Sequence, residues 1–529
     1  MKTIIRIAAA AAMTVLGALS CTKNFEEINT NPNKIGYGDI MAHNMFEPNL
    51  YLLGRDIQYH AYFFSHELAQ TTAFTGGRTT QIYLYQLYDA NFQSIWDCYA
   101  RHGNDSDYMA KLGVKKEEQL FAAFGLIFKA YNLGTLSSLF GDIPYKEAYK
   151  YMENRAPAFE TQEEVLLDCI ADLDSACVLL SKKPTSSYSS LDAMYSGAPA
   201  KWAKLANSLR MRFLLRLTGL NESYWGKIQE MIDNPDKYPV FASNEESAIV
   251  PFQSVDPYRQ YFTYSQEDAS SFQNHRITSQ LIKMMAILDG SGNDTYTDPR
   301  LPIIAERQKG KWFGSESGVN PSRNDEIDGG KSARPNTKTF MNDAFGATIM
   351  DYAEVLFIEA EGVCKGKLTV GSKTAKELYE EAVGADIHRW MAFNDCSSTK
   401  IPILESDIAT FLASNLGSYD VAAAGTGLYG SAEELILSQK WITLIYSGWE
   451  QFNEWRRTEY PVLTIGDGTA TNDFELPTRL AYPNYTVSSN GAHVSSALER
   501  MGGANNMHTA LDWSYLKRTG SHRNPYSAE

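Results

Sequence analysis

The sequence predicts a mostly α-helical protein, in which tetratricopeptide-like helical hairpins form a scaffold and a long, irregular, loop-rich region is set into it. Three observations predict this. Apolar residues recur at helical spacing through most of the chain, two neighbouring segments carry small residues at that spacing, and the periodicity lapses between about Asn234 and Pro335. With 44% of its 529 residues hydrophobic and 12% aromatic, the chain has the composition of a folded protein with a large core.

At the N-terminus Lys2 and Arg6 precede an apolar run from Ile7 to Leu19 that only Thr14 interrupts, the pattern of a secretory signal. A spanning helix needs roughly 20 apolar residues with anchoring flanks, and here the run stops at Ser20 and Cys21 with no basic cluster behind it. Ala18-Leu19-Ser20-Cys21 resembles a bacterial lipobox, with Ala18 where leucine is usual. Residues 1–20 are therefore expected to be a lipoprotein signal peptide and Cys21 the acylated residue; the alternative is an ordinary signal peptide with a chance cysteine. Each buried acyl methylene contributes about 0.8 kcal/mol, so several chains on one cysteine hold a protein to a membrane without a spanning helix. The polar segment Thr22 to Lys34 would be a tether, and residues 21–529 read as a single domain. Loss of Lys2 and Arg6 with the leader takes the formal net charge from -15 to -17, which argues against a nucleic-acid partner. Cys98, Cys169, Cys177, Cys364 and Cys396 are odd in number and without repeated spacing, so neither a disulfide framework nor a zinc ribbon is expected.

Within the domain, TQEEVLLDCIADLDSACVLL from Thr161 places Leu166, Ile170, Leu173, Cys177 and Leu180 on one face, and Thr161 with Glu164 makes a capping box. Trp202, Leu205, Leu209, Phe213 and Leu217 form a second stripe; Arg210 and Arg216 fall off it and read as solvated or bridging arginines. DYAEVLFIEAEGVCKG carries Ala353, Phe357, Ala360 and Cys364 on one face, and SKTAKELYEEAVGADIHRW carries Ala375, Leu378, Ala382 and Ala385. Small residues at these steps let two helices pack closely, as in tetratricopeptide hairpins. EEQLFAAFGLIFKAYNLGTLSSLF with the helix from Thr161 would be another pair, and helices on either side of Gly76-Gly77 a third.

Between about 234 and 335 helical periodicity survives only in ITSQLIKMMAIL; a second irregular region begins at Gly466 and, with the C-terminus, covers about 466–529. Long loops bearing aromatic residues on a helical scaffold are where a binding site is expected.

Several motifs imitate chemistry. Gly425, Gly427 and Gly430 match GxGxxG, but SYDVAAAG before them is a poor strand, and Ser431 with Glu434 caps a helix that starts only after Gly430. Gly330-Lys331-Ser332 resembles the end of a phosphate loop whose first glycine would be Asp325. Asp289, Ser291, Asn293 and Asp294 begin like a calcium loop, but the sixth position is Asp294 and the twelfth Arg300, so a solvated turn is expected. His60 and His66 point to different helix faces, and no His, Cys or carboxylate group shows metal-ligand spacing. No GxSxG elbow is present, and Gly314-Ser-Glu316-Ser-Gly318 has glutamate in the nucleophile's place. No catalytic residue, metal or cofactor is expected.

CTKNFEEINTNPN, FGDIPYKEAY (Phe140 to Tyr149), the helix with LDSACVLL, GAPAKWAKLANSLRMRFLLRL, DPRLP (Asp298 to Pro302), DYAEVLFIEAEG, QFNEWRRTEYP (Gln451 to Pro461) and LPTRLAYPN (Leu476 to Asn484) follow one another along nearly the whole chain. In content and order they resemble the SusD/RagB family of outer-membrane lipoproteins of the Bacteroidetes, and more closely its SusD-like branch. The resemblance implies a lipid-anchored cell-surface protein that caps a SusC-like TonB-dependent transporter and passes it an oligosaccharide or a peptide without chemistry. It carries over Cys21 as the acylated residue and no ligand contacts, because those lie in variable loops.

For a sugar, with apolar faces edged by hydroxyls, the loops offer two mixtures of rings and polar groups. Phe74, Arg78, Gln81, Tyr83 and Tyr85 surround Gly76-Gly77, and Tyr258, Arg259, Tyr261 and Tyr264 lie in the irregular region. Trp312-Phe313, flanked by Lys and Gly, is expected to be exposed, whereas Trp96, Trp202, Trp441 and Trp455 are expected in the core. The candidate ligand residues are thus Phe74, Arg78, Tyr83, Tyr258, Tyr261, Tyr264 and Trp312. Oligosaccharide capture is the leading reading, with peptide capture and a surface glycosidase as alternatives; a glycosidase would need two facing carboxylates in a cleft.

Overall fold

A computed structural model describes residues 40–74, 82–150, 153–184, 188–289, 291–323, 328, 330–397 and 399–524. The leader with Cys21 and the tether, Gly76-Gly77, Arg78, Gln81 and Asp325 lie outside the described residues.

Long helices dominate. α1 (His43–His60) passes through a π-turn at Ala61–Ser65 and is followed by α2 (Asp89–Lys115), α3 (Gln119–Phe140), α4 (Gln162–Ser181) and α5 (Pro199–Leu217). Three residues join α2 to α3, which run antiparallel and touch backbone to backbone. A Cβ on Gly113 would lie 2.6 Å from the Ala122 nitrogen, and one on Gly125 would lie 2.5 Å from that of Ala110. α3 is apolar on all sides and long enough to cross a membrane by composition, yet it is buried almost throughout as the central helix of the scaffold. The Thr161–Glu164 capping box opens α4, and Leu166, Ile170, Leu173 and Leu180 are buried as the stripe requires. Cys177 departs from it: this residue is half-buried, and Cys169, one helical step to the side, is the cysteine in the core. All five members of the α5 stripe are buried, as are Trp96, Trp202, Trp441 and Trp455.

The second half repeats the plan with α7 (Tyr352–Cys364), capped by Asp351, and α8 (Ala375–Asp395), opened by the Thr374–Glu377 capping box. Ala353, Phe357, Ala360, Leu378 and Ala382 meet in one apolar cluster between them. α9 (Ala432–Thr443) and α10 (Glu450–Thr458) follow. Ser431 caps α9 and a helix at Tyr419–Ala423 precedes the glycines, so the GxGxxG segment lacks the strand a dinucleotide fold needs.

Between α5 and α7 the chain makes short helices and short antiparallel ribbons. β1 (Thr72–Phe74) pairs with β3 (His275–Ile277), β2 (Ala248–Val250) with β8 (Ala347–Met350), β4 (Ala286–Leu288) with β5 (Asp294–Thr297), and β6 (Ala305–Glu306) with β7 (Arg334–Pro335). ITSQLIKMMAIL is helical only over α6 (Ser279–Met285); Ala286-Ile287-Leu288 leaves the helix because pairing with β5 supplies its backbone bonds. Asp289 turns that hairpin by accepting from the Ser291 and Asn293 amides at 2.8 and 2.9 Å, the solvated turn expected there. At the phosphate-loop mimic, Asp328 accepts from the amides of Gly330 and Ser332, so a carboxylate fills the cradle. The region after Gly466 is less irregular than expected: Asn484–Ser489 and Gly491–Met501 are helices, the second anchored by Val494, Ala497 and Met501, too few contacts to show as a long stripe.

Buried ion pairs join these layers. Arg212 forks onto Glu354 at 2.7 and 2.6 Å, and Arg216, bridging as expected but buried, reaches Glu450 at 2.6 Å. Arg300 joins Asp298, Asp386 and Gln439 at 2.6–2.8 Å, and Arg389 joins Asp386 and Asp351. The two ends of the domain also meet. Thr71 donates to Gln451 at 2.8 Å, Gln70 to the Thr464 carbonyl at 2.5 Å, and the Tyr446 amide to His66 at 3.2 Å.

Candidate functional site

A cleft with a volume of about 520 Å³ opens where the irregular region meets the α8–α9 connection. One wall is the helix–strand corner of α6 and β4, with Ile282, Lys283, Ala286 and Leu288; another is Trp312 to Gly314 with Glu316; Asn415, Leu416 and Leu428 complete it. Thr278 caps α6 by accepting from the Leu281 amide, and the 312–316 segment lies directly across that helix start. Ser279 donates from its amide to Ser315 at 2.9 Å and from its hydroxyl to Gly314 at 3.0 Å. A Cβ on Gly314 would stand 2.3 Å from the Ser279 nitrogen, so only glycine allows so close an approach.

That crossing orients two neighbouring rings oppositely. Trp312 turns inward and is only 2% exposed, under the Arg307 guanidinium 4.8 Å from its ring; Arg307 is itself held by Asp294 at 2.6 and 2.7 Å. The exposure expected for Trp312 is therefore wrong, because the arginine and the cleft wall cover it. Phe313 is the ring that faces outward, 41% exposed. Ala286, Leu416 and Trp312 make an apolar floor, and Lys283, Glu316 and Asn415 are exposed polar groups around it. Such a site can stack a flat apolar face against Phe313 while offering one cation, one carboxylate and one amide to hydroxyls.

The remaining candidates fall elsewhere. Tyr258 and Tyr261 are half-buried against α1, with Tyr258 4.9 Å from Tyr51 and Tyr261 4.9 Å from Tyr59 between ring centres; Tyr264 is exposed, with Arg55 4.0 Å above its ring. Glu47, Tyr51, Leu52, Arg55 and Tyr258 line a shallow groove of about 200 Å³ here. Phe74 and Tyr83 are buried in a small cluster with Ala73 and Leu84, so they pack the loop rather than face a ligand. Tyr85 is buried too, with Gln70 donating to its hydroxyl.

Lys283, Asn415 and Leu428 carried no signal in the sequence, because distant segments bring them together. A second omission had one. Cys98 and His102 stand one turn apart on α2, so two ligand-type side chains do share a face, contrary to expectation, and α1 adds Asp56 beside them. His102 and Asp56 are 2.6 Å apart, and the Cys98 thiol donates to the same carboxylate at 3.3 Å. His60 and His66 have different partners, as expected: Tyr99 and the Tyr446 amide.

Comparisons with known proteins agree with this architecture. A family model described as SusD-like, starch-binding and associating with the outer membrane matches residues 32–483. A SusD homolog from Parabacteroides distasonis is similar in structure with a TM-score of 0.75 at 19% identity, over 92% of this chain and all of that one. A chitin-binding SusD homolog from Flavobacterium johnsoniae gives 0.71 at 21% identity, over 89% of this chain and 98% of that one. A SusD homolog from Bacteroides fragilis gives 0.68 at 21%, over 88% and 98%. None of the curated proteins matches. Since the matched stretch takes in nearly the whole chain and the solved relatives share its hairpin scaffold, this protein belongs to the SusD-like family of the Bacteroidetes.

Proposed function

We propose that the protein is a cell-surface lipoprotein that captures an oligosaccharide in the Phe313 cleft and delivers it to a SusC-like TonB-dependent transporter. The observation that carries the ligand class is the exposed Phe313 ring beside an apolar floor, with Lys283, Glu316 and Asn415 around it. The family description, starch-binding, and the chitin-binding relative support a glycan. Among the described residues of the cleft lining Glu316 is the one carboxylate, where hydrolysis would take a facing pair, which favours capture over a glycosidase. Peptide is the second reading, because Lys283 and Glu316 would suit the opposite charges of peptide termini.

Calorimetry with panels of malto-, chito- and xylo-oligosaccharides and of short peptides tests this. A glycan should bind, and Phe313→Ala should weaken it about three- to tenfold, the worth of one ring contact. Weakening by Tyr264→Ala instead would move the site to the groove on α1, and a peptide as sole ligand would favour the second reading. Binding by neither panel, in the presence of the transporter, would sink the capture role.

The anchor is tested separately. Cys21→Ala should leave the protein unacylated and lost from the outer-membrane fraction, as shown by fractionation and mass measurement of the mature N-terminus. Retention of the variant would overturn lipidation at Cys21.

A further inference from the structure

Asp56, Cys98 and His102 are not used by the cleft, and their arrangement is more specific than a hydrogen-bonded contact between two helices requires. Asp56 and His60 stand one turn apart on α1, and Cys98 and His102 stand one turn apart on the facing side of α2. The His102 Nε2 and the Cys98 Sγ both aim at a single atom, the Oδ2 of Asp56, at 2.6 and 3.3 Å. All three ligand atoms lie within 4.8 Å of one another. Cys98 and His102 are buried, while the Asp56 side chain is a quarter exposed and gives the cluster a route to solvent. The π-turn at Ala61–Ser65 begins immediately after His60, and such bulges in a helix are common at functional sites.

The geometry points to a zinc site at the α1–α2 junction, with Asp56, Cys98 and His102 as its protein ligands and a water in the fourth position. Donor chemistry selects the ion. Calcium and magnesium take oxygen ligands and have no use for a thiolate, whereas a set of one sulfur, one imidazole nitrogen and one carboxylate suits Zn²⁺. Charge supports it as well: one carboxylate and one thiolate neutralise a dication, so the occupied site carries no net charge into its buried surroundings. Bonds of about 2.0–2.3 Å place tetrahedral ligands about 3.3–3.7 Å apart. The Sγ to Oδ2 separation of 3.3 Å already fits. His102 and Asp56, at 2.6 Å, must part by about 0.7 Å, which the partly exposed carboxylate can do by rotation. On binding, the Cys98 thiol gives up its proton to solvent, and the proton between His102 and Asp56 is lost to solvent from an imidazolium or moves to Nδ1 of a neutral ring, so that the metal takes Nε2 of a neutral imidazole.

The test uses purified protein stripped with chelator and titrated with Co²⁺ and then Zn²⁺. Co²⁺ should bind at one equivalent with a near-ultraviolet thiolate-to-metal band and visible tetrahedral bands, and Zn²⁺ should displace it. Cys98→Ser should abolish the thiolate band. Cys98→Ser, Asp56→Asn and His102→Gln should each bind Zn²⁺ at least about a hundredfold more weakly, since losing a ligand costs more than losing its supporting partner. Cys396→Ser, which changes an exposed cysteine, should bind as the parent does. Circular dichroism identifies any variant that fails to fold, and the other two then carry the comparison. Absence of stoichiometric uptake by the parent, or a thiolate band that persists in Cys98→Ser, would overturn the assignment.

Discussion

Replacing Arg457 with alanine should cost the fold about 3–5 kcal/mol, as measured by chemical denaturation at pH 7. Its guanidinium lies between Glu361 on α7 and Glu454 one turn back on α10, donating to Glu454 at 2.6 and 3.1 Å and to both oxygens of Glu361. Lys365 and Lys440 complete the group, at 2.6 Å from Glu361 and 3.1 Å from Glu454. The arginine and both glutamates are buried. Burial alone would raise the two carboxyls, but Arg457 and the lysines outweigh it and hold both below the usual carboxylate range. Their pairing therefore stabilises the protein above the unfolded value of about 4.3 and is lost as pH falls below it. Without the guanidinium two negative charges remain buried, and they take up protons closer to neutrality. The gap between variant and parent should accordingly narrow as pH is lowered from 7 to 5. A loss under about 1 kcal/mol at pH 7, the size found for exposed pairs, would show that the group is not the junction described.

Gly125→Ala should destabilise by about 1–3 kcal/mol, although alanine is favoured over glycine in a helix interior by about 1 kcal/mol. The reason is where α3 meets α2. The added methyl would lie 2.5 Å from the Ala110 nitrogen and 2.7 Å from the Ser106 carbonyl oxygen, and backbone atoms cannot turn aside as a side chain can. Gly226, in the helix Tyr224–Asp233, has nothing within 4 Å of the same position. Gly226→Ala should therefore stabilise by up to about 1 kcal/mol. Thermal melts of the two variants should move in opposite directions; equal shifts would mean that α2 and α3 do not approach as closely as described.

The helices were legible because each carries its own signal. Thr161 and Glu164 announce α4, and the stripe from Trp202 to Leu217 announces α5, with every partner a few residues away. The segments that carried the family resemblance were legible as a pattern but not as physics. DPRLP, DYAEVLFIEAEG and QFNEWRRTEYP supply Arg300, Glu354, Glu361 and Arg457, which have charged partners 86 to 142 residues away. Nothing local distinguishes such an arginine from a solvated one, as Arg216 illustrates. The cleft was legible only as a region. Trp312 and Phe313 are adjacent and chemically alike, and Arg307 together with the α6 crossing decides which of them a ligand can reach. Phe74 and Tyr83 could not be told from exposed rings, since a short apolar cluster under a loop has no period.

An open tetratricopeptide array folds repeat by repeat, because each unit touches only its neighbours. Here the chain closes on itself: residues 66–71 meet residues 446–464, partners 380 to 394 residues apart in sequence. The side chains of His66, Gln70 and Thr71 are buried, and each lacks one of its hydrogen-bond partners until the last sixth or so of the domain begins to arrive. High contact order therefore replaces the local kinetics of a solenoid, and the newly synthesised polypeptide has an incomplete interior until synthesis is nearly finished. Until then it must be kept from aggregating, an obligation that the repeat architecture alone would not impose.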